Sequence, residues 1–150
     1  MTVHDDTTNL ALTGPSDSAL PPHTVKWVFD PDDAEPPYAY TAGLAARPGR
    51  AYELATTGLP GRLSHAIITA AAEQLQNDGL EPAEGLELDE VLQGGYLVQL
   101  RRAEDTSRCT AARTAHGPDV AVWQILTPDK WGLYPGDTHY SEPAAAQPLM

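Results

Sequence analysis

The sequence predicts a single-domain α+β protein in which one main helix and one weaker helix cover a mostly antiparallel sheet of about five strands. Its 150 residues are enough for one domain with one hydrophobic core. Short runs of β-branched and aromatic residues recur along the chain, whereas only one long segment has the periodicity of an amphipathic helix. The domain is predicted over residues 23–140. Flexible tails are expected at residues 1–22 and 141–150, which carry little periodic apolar surface.

The first half of the domain predicts three consecutive strands. Residues 24–29 alternate in polarity and run into an acidic, proline-rich loop at residues 30–37. Residues 38–44 and 51–57 are the next two strands, separated by a turn around Pro48 and Gly49. Short connections of this kind favour an antiparallel meander.

The main helix follows Pro60, which suits a first helical position because its missing N–H is not needed there. The helix is predicted to end at Asn77-Asp78-Gly79, a typical C-terminal signal. Its apolar residues recur about every four positions and predict one stripe that faces the sheet. They are Leu63, Ile67, Ala71 and Leu75.

The second half predicts two strands and a weak helix. An acidic connector at residues 81–90 leads to one helical turn at 88–92, and then to a strand at 96–102. A weak helix is expected from Asp105 or Thr106 to Ala115, because Asp and Thr are good N-caps but the segment contains poor helix formers. The last strand covers residues 119–126. An aromatic, glycine- and proline-containing strap follows at residues 131–137.

Five short motifs in this order resemble the DUF4262 family over about residues 24–137. They are Tyr40-Thr-Ala-Gly-Leu44, Glu53-Leu-x-x-Thr-Gly-Leu-Pro60 before a helix, Leu92-x-Gly-Gly-Tyr96, Trp123-Gln-Ile-x-x-Pro-Asp129, and Gly132 with Pro135. The family often has Trp at the positions of Thr127 and Gly136. The resemblance implies an α+β domain of the bacterial cytosol and implies no particular activity.

Charge and composition exclude several classes of partner. The net charge of −12 leaves no basic stripe for phosphates, so neither nucleic acid nor an anionic membrane is an expected partner. No apolar run approaches the roughly 20 residues of a membrane span, and the N-terminal residues lack a signal-peptide pattern. The single Cys109 fits a reducing compartment. We therefore expect a cytoplasmic protein.

No cofactor or metal is expected from the motifs. The glycine patterns of nucleotide-binding loops are absent, and no nucleophile elbow precedes the main helix. The histidines occur singly, without a metal-binding pair at helical spacing. They are His4, His23, His65, His116 and His139.

Glu53 is the leading candidate site residue, because a carboxylate in the middle of a strand is disfavoured unless it meets water or polar partners. One interpretation is a solvent-facing acid. The other places Glu53 on the floor of a ligand pocket with Thr41, Gln124, and Tyr134 or Trp131 from the strap.

Two functional classes follow. The first is a non-catalytic accessory module that binds a small molecule or a protein, favoured by the lack of a complete catalytic constellation. The alternative is a small enzyme, a hydrolase or isomerase, that uses Glu53 with His65 or Gln124. No sequence feature specifies an oligomeric state.

Overall fold

The computed structural model describes residues 2–7, 23–46 and 51–150, and it confirms the predicted α+β domain. Six strands between residues 24 and 126 form one sheet, and an N-terminal strand adds a seventh at its edge. The strands are β1 (Thr2–Thr7), β2 (Thr24–Phe29), β3 (Tyr38–Ala42), β4 (Tyr52–Thr57), β5 (Glu87–Leu88), β6 (Val98–Arg102) and β7 (Ala121–Leu126). The helices are α1 (Gly61–Asn77) and α2 (Thr110–His116).

The sheet is mixed, with the order β1-β2-β3-β4-β7-β6-β5. All neighbouring strands pair antiparallel except β4 and β7, which are parallel. Both helices and two strands lie between β4 and β7 in the chain, and a connection of that length allows a parallel return. The meander of β2, β3 and β4 is as predicted, whereas the parallel pair and the additional strands are not.

Helix α1 covers one face of the sheet. Its buried Ile68 and Leu75 pack in one cluster with Tyr52 and Leu54 of β4. Leu63 was predicted to lie on the same stripe, but it is 45% exposed. The stripe runs instead through a set of residues at three- and four-residue spacing, which places Leu63 about 100° to its side. That set is Ser64, Ile67, Ile68, Ala71 and Leu75.

Helix α2 lies on the opposite face, where Cys109 and Ala112 pack with Tyr40, Ala55 and Val122. It is shorter than predicted, because the Asp105 carboxylate accepts a hydrogen bond from the Ser107 N–H at 2.9 Å. Such a local side-chain turn competes with helix formation. The helical turn predicted at residues 88–92 is also wrong, because Glu87–Leu88 instead pairs with β6.

Two parts of the predicted tails lie within the described residues. Residues 147–150, called here the docked segment, pack against the sheet, and the side chain of Gln147 is 4% exposed. The segment lacks apolar periodicity because it is held mainly by hydrogen bonds, from its backbone and from the Gln147 amide, which leave no periodic pattern in the sequence. At the other end, β1 pairs with β2 through its backbone, and the rest of the predicted N-terminal tail lies outside the described residues.

Candidate functional site

The side chain of Glu53 is fully buried, with 0% exposure. It projects from β4 towards α2, on the opposite face from Tyr52 and Leu54, which pack against α1. It therefore does not face solvent.

Hydrogen-bond donors occupy both oxygens of the Glu53 carboxylate. Oε1 accepts from the Thr41 hydroxyl at 2.6 Å and from the Leu44 N–H at 3.0 Å. Oε2 accepts from the N–H groups of Gly43 at 3.3 Å and Ala45 at 3.0 Å. This set of donors is what stabilises an ionised carboxylate inside a protein.

Strand β3 creates this arrangement by separating from β4. The ladder between the two strands stops at Tyr40 and Ala55, and the Leu54 N–H then binds the Thr41 hydroxyl at 2.9 Å. Gly43 adopts a positive φ of 109°, which turns the chain into a 3-10 helical turn at Leu44–Ala46. The turn aims successive N–H groups at one point, as in an anion-binding nest.

His116 completes the cluster from the end of α2. Its Nε2 lies 3.2 Å from Oε2 of Glu53, and its side chain is 23% exposed. The contact joins residues 63 positions apart, so no local sequence pattern could have found it. Thr41, Glu53 and His116, with the backbone of residues 43–45, form what we call the Glu53 cluster.

His65 and Cys109, two further reactive side chains, lie away from the Glu53 cluster. His65 lies on α1 and hence on the other side of the sheet, so the structure does not pair it with Glu53. Cys109 and His116 lie at opposite ends of α2, about 10 Å apart along the helix axis. Burial raises the pKa of the Cys109 thiol to about 12, which removes it as a nucleophile at neutral pH. Glu53 thus connects α2 to the turn after β3.

Gln124, also predicted as a site residue, lies in a different place on the same face. The register places it directly between Ala55 of β4 and Arg101 of β6, so the three side chains form one row across three strands. Ala55 is small and leaves space in this row. The docked segment binds Gln124 here, and its Met150 packs against the cluster that contains Ala55.

The Gln124 side-chain amide binds that backbone at two points. Its Nε2 donates to the Pro148 carbonyl at 2.8 Å, and its Oε1 accepts from the Met150 N–H at 2.9 Å. The Thr57 hydroxyl also donates to the Pro148 carbonyl, at 2.6 Å. The Gln124 side-chain amide thus pairs with two residues that are two positions apart, Pro148 and Met150, as the backbone of a neighbouring strand would.

A side chain of the docked segment makes a similar pair of hydrogen bonds with the end of β7. The Gln147 side-chain amide accepts from the Thr127 N–H at 2.7 Å and donates to the Thr127 carbonyl at 3.0 Å. Gly58 allows the close approach, because a Cβ there would lie 1.8 Å from the carbonyl oxygen of Ala146. We call the surface formed by Thr57, Arg101, Glu104, Gln124 and Thr127 the Gln124 groove.

A family model described as "Domain of unknown function (DUF4262)" matches residues 23–141, which is most of the chain. The chain belongs to the DUF4262 family. No curated protein and no solved structure matches it. The DUF4262 match includes the Glu53 cluster and Gln124, whereas the docked segment lies beyond its last residue.

The strap of this DUF4262 domain is held by Asp129. Its carboxylate accepts from the N–H groups of Trp131, Leu133 and Ser141, at 2.8, 2.9 and 2.8 Å. Burial raises the pKa of Asp129, but these hydrogen bonds outweigh it and lower the pKa to about 2. The carboxylate therefore stays ionised and fixes the loop that precedes the docked segment.

The two predicted strap residues do not join Glu53 and Gln124. The Tyr134 hydroxyl donates to the Leu97 carbonyl at 2.7 Å, so Tyr134 ties the strap to the start of β6. Trp131 is 71% exposed, and its ring lies beside Lys130. The five predicted ligand residues thus occupy three separate places.

Two cavities flank the docked segment, and none of the five predicted ligand residues lines either one. The first, of about 300 Å³, lies between the acidic loop and the N-terminal side of α2 and includes Tyr38, Arg108 and Met150. The second, of about 720 Å³, is mainly apolar and includes Pro135, Tyr140 and Leu149. Pro148 and Leu149 line both cavities, so the segment lies between two partly open spaces.

Two further observations apply to the described part of the DUF4262 domain. Within residues 2–7, 23–46 and 51–150, no group of three or more His, Cys, Asp or Glu side chains is arranged to hold a metal ion. Over the same ranges, none of the helices has the length and apolar character needed to cross a bilayer.

Proposed function

We propose that this protein is a non-catalytic, cytoplasmic accessory module that binds a partner protein by taking an extended segment of it into the Gln124 groove. The observation that carries this proposal is the double hydrogen bond between the Gln124 amide and the backbone of residues 148 and 150. A buried amide that pairs with alternate residues of an extended chain provides the main-chain recognition of strand addition.

The contacts of the groove are directed mostly at backbone atoms. Thr57 and Gln124 bind the Pro148 carbonyl, Gln124 binds the Met150 N–H, and none of these bonds depends on a side chain of the docked segment. The side chain of Leu149 is 44% exposed. A groove of this kind accepts different sequences, so the docked segment is one possible occupant and a partner segment can take its place.

The closed state of the Glu53 cluster supports a binding role over a catalytic one. Four hydrogen-bond donors and the His116 imidazole surround the Glu53 carboxylate, and none of its surface is open to a substrate. A general base needs an oxygen within reach of the proton it removes. The Gln124 groove, in contrast, already holds a peptide segment.

The proposal is tested by weakening the docked segment without altering the groove. Gln147→Ala removes the side chain that holds the segment to Thr127 and leaves Thr57 and Gln124 in place. A fluorescent peptide with the sequence of residues 143–150 keeps its own glutamine and is added to the full-length variant. We expect saturable binding by fluorescence anisotropy, tighter than to the unaltered chain, in which the docked segment competes.

The matched control is Gln76→Ala, since Gln76 is an exposed glutamine near the end of α1. The Gln76→Ala variant should bind the peptide with the same affinity as the unaltered chain. Adding Gln124→Leu to Gln147→Ala should abolish binding, because the leucine has no polar atoms to pair with the peptide backbone. Absence of binding to the folded Gln147→Ala variant would overturn the proposed function.

A further inference from the structure

The far end of the Gln124 groove contains two donors aimed at one atom. The guanidinium Nη1 of Arg101 donates to the backbone oxygen of Met150, and the Glu104 N–H donates to the same oxygen at 3.1 Å. Arg101 stands opposite Gln124 in the register, so this pair of donors continues the row that holds the segment. The groove therefore ends at two converging donors, one of which belongs to a positively charged guanidinium.

A guanidinium and a backbone N–H that converge on one oxygen form a typical carboxylate receptor. A peptide carbonyl offers them one neutral oxygen, whereas a carboxylate offers two oxygens and a full negative charge. The side chain of Arg101 is 21% exposed, and its ion pair is with Glu104 at 3.8 Å, whose side chain is 84% exposed. A pair of this length with an exposed carboxylate contributes little, so Glu104 does not neutralise the Arg101 guanidinium.

We propose that the Gln124 groove recognises the free α-carboxylate at the C-terminus of a partner protein. This inference rests on the proposed function and names the class of segment that the groove takes. The carboxylate binds Arg101 and the Glu104 N–H, and the preceding backbone binds Gln124 and Thr57.

The docked segment indicates which side chains such a terminus would carry. The residue in the place of Met150 packs against the apolar cluster of α2 and should be apolar. The residue in the place of Leu149 is half-exposed and is free to vary. Proline fits at the place of Pro148, where the groove binds a carbonyl, and glutamine at the place of Gln147 binds Thr127.

The test compares two hexapeptides of the sequence Ala-Ala-Gln-Pro-Leu-Met, one with a free carboxylate and one with a carboxamide. Both are titrated into the full-length Gln147→Ala variant. We expect the free acid to bind about tenfold more tightly than the carboxamide, because one hydrogen-bonded charge contributes roughly this factor to the affinity. The difference should shrink as salt is raised, because a partly exposed ion pair is screened.

Arg101→Gln in the same background should bind the two peptides equally, while Arg62→Gln, an exposed arginine of α1, should keep the preference for the acid. Arg101→Lys retains the charge and should keep part of the preference for the acid. Equal affinity for acid and amide before any change at Arg101 would overturn this inference and leave the peptide-binding function standing. Failure of both peptides to bind would overturn the proposed function as well.

Discussion

The Glu53 cluster and the Gln124 groove occupy the same face of one sheet and follow the same plan, yet they differ in which part of the chain supplies the bound backbone. Each centres on a polar side chain with 0% exposure that binds the backbone of a segment without regular strand pairing. The backbone donors of Glu53 come from the adjoining turn, 8 to 10 residues away. The partners of Gln124 lie 24 and 26 residues away, between two cavities.

The charge of the central group explains this difference. If the turn left Glu53, the buried carboxyl group would lose its hydrogen-bond donors inside the protein, and breaking such a buried arrangement typically costs about 3–5 kcal/mol. If the docked segment left Gln124, water would replace hydrogen bonds whose net contribution is roughly 1 kcal/mol each. We therefore expect the Glu53 cluster to stabilise the fold, and the proposed function requires the Gln124 groove to exchange its occupant.

Glu53→Gln should have the largest effect. An amide NH₂ group would face the N–H donors of the turn, so we expect a loss of about 3 kcal/mol in the free energy of unfolding by urea titration. Glu73→Gln on the exposed face of α1 is the control and should change the free energy of unfolding by no more than about 0.5 kcal/mol. Equal stability of the two variants would show that the Glu53 cluster is not structural.

Gly58→Ala should have the next largest effect and should act on the groove. A Cβ would meet the Ala146 carbonyl at 1.8 Å, and the positive φ of 76° adds strain of about 1–2 kcal/mol. Gly79→Ala is the matched control, because φ is +63° there and no atom lies within 4 Å of the added Cβ.

Gly58→Ala should therefore destabilise the protein more than Gly79→Ala and should also release the docked segment, seen as faster exchange of the Met150 amide proton. An unchanged Met150 amide in a folded Gly58→Ala variant would contradict the described contact.

His116→Ala should have a smaller effect than Glu53→Gln. The Thr41 hydroxyl and three backbone N–H groups remain on the carboxylate, so we expect a loss of about 1 kcal/mol in the free energy of unfolding. Peptide affinity in the Gln147→Ala background should not change. A large fall in peptide affinity would show that the two regions are coupled.

The smallest expected effect concerns Asp129 and the pH. Hydrogen bonds lower the pKa of the Asp129 carboxyl group from 3.8 to about 2, whereas burial acts in the opposite direction. Because the folded pKa is the lower one, the stabilisation is present above pH 3.8 and is lost as the pH falls through about 2. Trp131 fluorescence should therefore stay constant from pH 8 to 4 and change below that. A transition centred near pH 4 or above would contradict the hydrogen-bonded state of Asp129.

Local patterns predicted the parts of the fold that are themselves local. The alternation in β2 and the spacing along α1 led to those elements, because both reflect burial against a neighbouring layer. The parallel pairing of β4 and β7 depends on which distant strands meet, which no short window contains.

The sequence pointed to the two central polar residues and, for Glu53, to its neighbour Thr41, but not to their other partners. Glu53 was singled out as a carboxylate in the middle of a strand, and Gln124 was named as its pocket neighbour; both are fully buried. His116, Arg101 and the docked segment contribute through contacts across 63, 49 and 24 to 26 positions of the chain. The clue available for the segment was Gln124 itself, whose buried amide required polar partners.

The most direct test of the difference between the two regions is amide hydrogen exchange in the unaltered full-length chain, followed by NMR. The amide protons of Leu44 and Ala45 bind Glu53, and that of Met150 binds Gln124. If the cluster is closed and the groove exchanges its occupant, the Met150 proton should exchange at least about a hundredfold faster than the other two, which corresponds to an opening free energy about 2.7 kcal/mol lower. Equal protection of all three would contradict this account, because the docked segment would then be as fixed as the turn around Glu53.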